Sequence, residues 1–216
     1  MKKVVLFPYS YNCCEILRYS NMIPDYEIVG VLAPSGWGIE GKDASVVDGG
    51  KEIGINILSS INYNIDFDGI LVIDDCKNEY VEQAVMIYVE DVLEHNKEVI
   101  FVMEVSDKIK DVCSSKPHLI TYFPKQPQDV YNGKKLLQID TPIVMVVGAH
   151  ELTHKFKIQL EINEYFKKAG YKVSHIGSKQ YGELFGVHSF PEFMYNNISE
   201  TNKIYGFNQY IRKIEK

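Results

Sequence analysis

The feature that most constrains this chain is an alternation of short apolar runs, each followed by a polar turn and then a stretch with helical spacing. The runs Lys3 to Phe7, Tyr26 to Ala33, Asp68 to Ile73 and Glu98 to Val105 are near-continuous in apolar and β-branched residues. A half-exposed strand would place a polar residue at every second position, so such runs belong to strands covered on both faces. Helical stretches separate them at Cys13 to Ser20, about Glu79 to His95 and about Lys108 to Cys113. In the second of these, Val81, Ala84, Val85, Tyr88, Val89 and Val92 fall on one helical face, which predicts a helix buried on one side. Leu119 to Phe123 supplies a further strand and Ile55 to Leu58 a weaker one. Strands that alternate with helices need crossover connections, and these produce a mainly parallel sheet. Ligands in such sheets sit on the loops that follow the strands. Here such a loop is Pro34 to Gly41, which holds three glycines and the only tryptophan, Trp37, while Pro8 to Asn12 joins the first strand to its helix.

The pattern breaks at Pro124 to Gln128, and the polar stretch to Asp140 reads as a linker. The expected organisation is an α/β domain over residues 1–124, a linker over 125–140 and a second unit over 141–216. In that second unit, Ile143 to Gly148 predicts a strand and about Thr153 to Ala169 a helix stopped by Gly170. Tyr171 to Ile176 would be the parallel partner strand. An aromatic loop, Gly182 to Asn196, and a terminal helix over about Glu200 to Ile214 complete the chain. Two strands are few for an independent sheet. Either the first domain completes it, or the sequence belongs to a longer protein.

Bulk properties exclude some classes of function. A net charge of -6 and a pI near 5.5 argue against nucleic acid as a partner, because phosphate-backbone binders carry a basic face. The apolar run after Met1-Lys2-Lys3 ends at Pro8, too soon for a signal peptide, and no window has the length of a membrane span. The four cysteines lack C-x-x-C spacing and secreted-scaffold density, so a cytoplasmic location with no membrane partner is expected.

Candidate chemistry concentrates at the strand-to-helix turn after Gly148, where two readings compete. His150-Glu151-Leu152-Thr153-His154 spells the H-E-x-x-H signature, in which two histidines on one helical face hold zinc and the glutamate serves as base. No third ligand stands at a recognised spacing. Alternatively, Gly148, Thr153, His154 and Lys155 outline a degenerate phosphate loop, with backbone N–H groups and a lysine facing an anion such as the phosphates of ATP or GTP. Ala149 and His154 then replace the two loop glycines, and Phe156 replaces the hydroxyl that would hold Mg²⁺. A strand-to-helix turn without a ligand explains the same residues.

The segment from Gly148 to Tyr195 resembles the clostridial peptide maturation system proteins. The matching elements are the glycine, the Lys155-Phe156 and Gln159-Leu160 pairs, and His188 to Met194. The resemblance covers most of the chain and is strongest over Ile143 to Met194. It implies a Rossmann-like first half and a P-loop-like second half, here a partial β-loop-α-β unit. It also implies an accessory role in ribosomal-peptide maturation, with maturation proteins or a precursor peptide as partner and no defined reaction. A zinc metallopeptidase and a non-catalytic interaction module remain as alternatives.

Other residues carry paired readings. Cys13 and Cys14, at a helix start, read either as reactive thiols or as small buried side chains, and burial is the favoured reading. Asp74 and Asp75 read as a Mg²⁺ or ribose site or as a helix cap, with the cap favoured. His188 and Glu192 read as pocket residues or as part of an aromatic cover.

Overall fold

The computed structural model describes residues 1–74, 78–123, 135–150 and 153–216. Its first unit is built on β1 (Lys2–Phe7), α1 (Tyr11–Arg18), β2 (Tyr26–Leu32), β3 (Ile57–Leu58), β4 (Gly69–Val72), α2 (Glu79–Glu94), β5 (Glu98–Phe101), α3 (Asp107–Cys113) and β6 (Ile120–Tyr122). The strands form one sheet in the order β3-β2-β1-β4-β5-β6, and every pairing is parallel. This is the Rossmann-like arrangement, and its direction of growth reverses between β1 and β4.

The apolar runs become buried strands for the reason the sequence suggests. Val4 to Phe7, Ile70 to Val72 and Val99 to Phe101 are all essentially inaccessible. On one side of the sheet, Val5, Phe7, Ile70, Val72, Val99 and Phe101 pack with Val85, Val89, Val92 and Leu93 of α2 and with Ile109 of α3. Val81, Ala84 and Tyr88 line the margin of that contact, so the predicted helical face is the one that packs. The helix begins at Asn78, whose side chain accepts from the Tyr80 N–H at 2.9 Å. Asn78 is therefore the cap that had been assigned to the Asp74-Asp75 pair; Asp75 lies outside the described residues. At the amino-terminal ends of β1 and β5, Lys2 pairs with Glu98 at 2.6 Å in a partly exposed contact of small net worth.

Contact density divides the chain into Met1–Pro124 with Glu183–Phe185, and Lys125–Gly182 with Gly186–Lys216. The second unit holds α4 (Lys155–Lys168), β7 (Ile176–Gly177), β8 (His188–Ser189) and α5 (Glu200–Glu215). Gly170 ends α4 as expected, at φ 87. Its N–H bonds the Lys167 carbonyl and that of Tyr171 bonds Phe166, the two hydrogen bonds of a Schellman stop. Phe156 and Leu160 are buried, and Phe156 meets Tyr181 edge-on at 5.8 Å. On α5, Phe207 packs against Phe190 at 4.9 Å, and the Tyr210 hydroxyl donates to the Ser189 carbonyl at 2.7 Å.

Two strand expectations fail here. Residues 142–148 form no strand, and Ile143, Val144, Met145 and Val147 are 61 to 77% exposed. Of Tyr171 to Ile176 only Ile176 enters a strand, and β7 pairs in parallel with β8 instead of with the 143–148 segment. An apolar run becomes a strand only where a neighbour satisfies its backbone, and none lies beside 142–148 among the described residues. The P-loop-like β-loop-α-β unit is thus reduced to its loop and helix. The end of the linker does find a partner. The Asn208 carboxamide accepts from the Leu137 N–H at 2.7 Å and donates to the Leu137 carbonyl at 3.0 Å, while Glu215 accepts from the N–H groups of Asp140 and Thr141.

Candidate functional site

The turn after Gly148 is folded onto itself. The His150 carbonyl accepts from the Thr153 hydroxyl at 2.9 Å and from the Lys155 ammonium at 2.6 Å. A Cβ on Gly148 would lie 2.2 Å from Thr153 Oγ1 and 2.8 Å from Lys155 Cδ, so a larger residue here would displace both side chains from their present contacts. His154 is the N-cap residue of α4 and sits in the left-handed region at φ 53, with no side-chain cap hydrogen bond. The structure thus brings Gly148, Thr153 and Lys155 together, but the lysine is directed at a loop carbonyl. His150 and His154 both precede α4 and do not share the helical face on which a zinc peptidase mounts its ligands. Glu151 lies outside the described residues. Among the described residues no cluster of three His, Cys, Asp or Glu side chains is placed to hold a metal ion.

His188 stands exposed in β8 and Glu192 half-buried on a 3-10 turn. Neither is among the residues that line the open cavity of the first unit described below. Nearby His175 is the more perturbed group. Burial, with help from the charges of Lys167 and His188, pushes its pKa down to about 4, so it is neutral at physiological pH.

An open cavity lies in the first unit, where the loops after β1 and β2 converge. It has a volume of about 470 Å³ and is lined by Tyr9, Ser10, Tyr11, Cys14, Trp37, Ile39, Val47 and Asp48. Each side chain is placed by a traceable local cause. The hydroxyl of Ser10 caps α1 by accepting from the Cys13 N–H at 3.3 Å, which sets Tyr11 and Cys14 on the first turn of the helix. Tyr9 is buried; its hydroxyl donates to the Ala44 carbonyl at 3.0 Å and accepts from the Cys14 thiol at 3.4 Å. The far wall depends on Asp43. Its carboxylate accepts from the N–H groups of Ser45, Val46, Ile53 and Gly54 at 2.8 to 3.2 Å, organising the loop that carries Val47 and Asp48. Asp48 is also bonded to Arg18 of α1. Trp37 and Tyr11 are 48 and 50% exposed, so their rings remain accessible.

The chemistry of this wall differs from that of a dinucleotide site. The β1–α1 loop, Pro8 to Ser10, and the first turn of α1 contain no glycine and carry Tyr9 and Tyr11, which leaves no bare backbone for a pyrophosphate to approach. Cys13, Cys14 and Cys113 are buried, and burial pushes Cys13 well up and likewise raises Cys14 and Cys113, which favours the packing reading of Cys13 and Cys14. Burial also raises Tyr9, the Cys14 contact adding to it, so its hydroxyl stays protonated. The sequence marked the Trp37 loop. It missed Tyr9, Tyr11, Val47 and Asp48, and the only signal for the last two was Asp43 followed by a glycine-rich stretch.

No protein-family model matches the chain, and no curated protein matches it. No helix among the described residues is long and apolar enough to cross a membrane.

Proposed function

We propose that this protein is an accessory binding component of a ribosomal-peptide maturation system, and that it engages the precursor peptide through the cavity at the end of β1 and β2. The observation that carries the binding assignment is that cavity: aromatic, open, and placed at the carboxyl edge of a parallel sheet beside its switch point, where α/β proteins hold ligands. The pathway comes from the sequence resemblance. The cavity is favoured over the Gly148 turn because Lys155, the only side-chain cation of that turn, already serves the His150 carbonyl. Burial raises both Tyr9 and Cys14, so neither is an activated nucleophile, which fits binding without covalent chemistry.

Trp37 is the sole tryptophan, so its emission reports on this cavity alone. Short capped peptides should change that emission saturably, and Lys155→Ala should leave the response intact. ATP binding that disappears in Lys155→Ala, with no peptide response from Trp37, would move the function to the turn.

A further inference from the structure

We infer that the cavity beneath the Trp37 loop selects a positively charged group, an ammonium or guanidinium, carried by a basic peptide side chain or by a free amine. The inference rests on the cavity as a binding site and adds the class of its ligand. Three of the lining side chains are aromatic, Tyr9, Tyr11 and Trp37, and the single lining group that carries formal charge is the Asp48 carboxylate. Aromatic faces bear negative partial charge and attract a cation placed within about 6 Å of the ring centre. Arg18, the partner of Asp48, is not among the lining residues.

Asp48 acts on the groups beside it, although Arg18 pairs with it on one side. Burial is the main reason that Tyr9 and Cys14 hold their protons, and Asp48 adds to it at both. At Cys14 the effect of Asp48 outweighs the opposing effect of Arg18. The Tyr9 hydroxyl hydrogen is committed to Ala44 and the Cys14 thiol to Tyr9, so neither of these two groups is a donor for an anion. A volume of about 470 Å³ accommodates a lysine or arginine side chain with its adjoining backbone.

The test is a fluorescence and calorimetric titration of the whole chain at constant ionic strength. Its probes are acetyl-Gly-Xaa-Gly-amide peptides with Xaa as Lys, Arg, Leu or Glu, and tetramethylammonium chloride with sodium chloride as control. Lys and Arg peptides are expected to bind about ten-fold or more tightly than Leu, with Glu weakest. Asp48→Asn should remove most of that preference while leaving Leu binding in place. Trp37→Leu, followed by calorimetry, should weaken the cationic peptides by a similar factor, and it tests the cage without touching the Arg18 pair. Equal binding of Lys and Leu peptides would overturn the charge selection while leaving the peptide-binding function standing. A Glu peptide that binds best would overturn it in favour of Arg18 as the anchor. Binding of tetramethylammonium without any peptide would keep the cation site and remove the peptide function; silence from every probe would remove both.

Discussion

Single side chains set the local geometry here mainly by accepting backbone N–H groups. Asp43 accepts four of them and so fixes the wall of the candidate site. Glu215 does the same for the end of the linker, with Arg212 beside it. The Arg212 guanidinium first, and then the groups of Thr141 and Asp140, hold the Glu215 carboxyl down to about 2. A depressed folded value means that the stabilising contribution is fully present above the ordinary carboxylate range. It is lost as pH falls through about 4.5 toward about 2. Glu215→Gln should therefore flatten the dependence of Tm on pH across that window, leaving the profile above about pH 6 parallel to that of the parent. A profile unchanged below pH 4.5 would mean that the linker is not tied to α5 in this way. At this scale the sequence was only partly legible. The Trp37 loop could be marked because glycine, tryptophan and position after a strand coincide. The pairing of Asp48 with Arg18 joins partners 30 residues apart, which no local spacing encodes. The cap at Asn78 is a local contact with Tyr80 and lay within reach of the rules for helix starts.

At the scale of elements, the first unit was readable because its strands are buried on both faces, and burial writes itself into composition as an unbroken apolar run. The same rule misled at Ile143 to Val147, where the run is present and the partner strand is not. The rule for helices held better, since α2 and α4 satisfy their own backbones and need only one apolar face. The difference between the two kinds of run can be measured. Ile70→Ala, in the middle of β4, should cost about 2 to 5 kcal/mol, the usual penalty for emptying a fully buried site. Val144→Asp, at a position 64% exposed, should fall within about 0.5 kcal/mol of the parent. Comparable losses from the two in chemical denaturation would show that residues 143–147 form a buried strand after all.

For the molecule as a whole, a Rossmann-like sheet has been kept while the glycine-rich phosphate turn usual at its first loop is replaced by Pro8, Tyr9, Ser10, Tyr11 and Asn12. The position of the proposed ligand site follows from the topology, and its chemistry from the residues that fill the loops. The most direct measurement is hydrogen–deuterium exchange on the whole chain with and without saturating acetyl-Gly-Lys-Gly-amide. Protection is predicted in residues 9–14 and 36–48, with none gained at 153–160. Protection confined to 153–160 would contradict the account and return the site to the turn at Lys155.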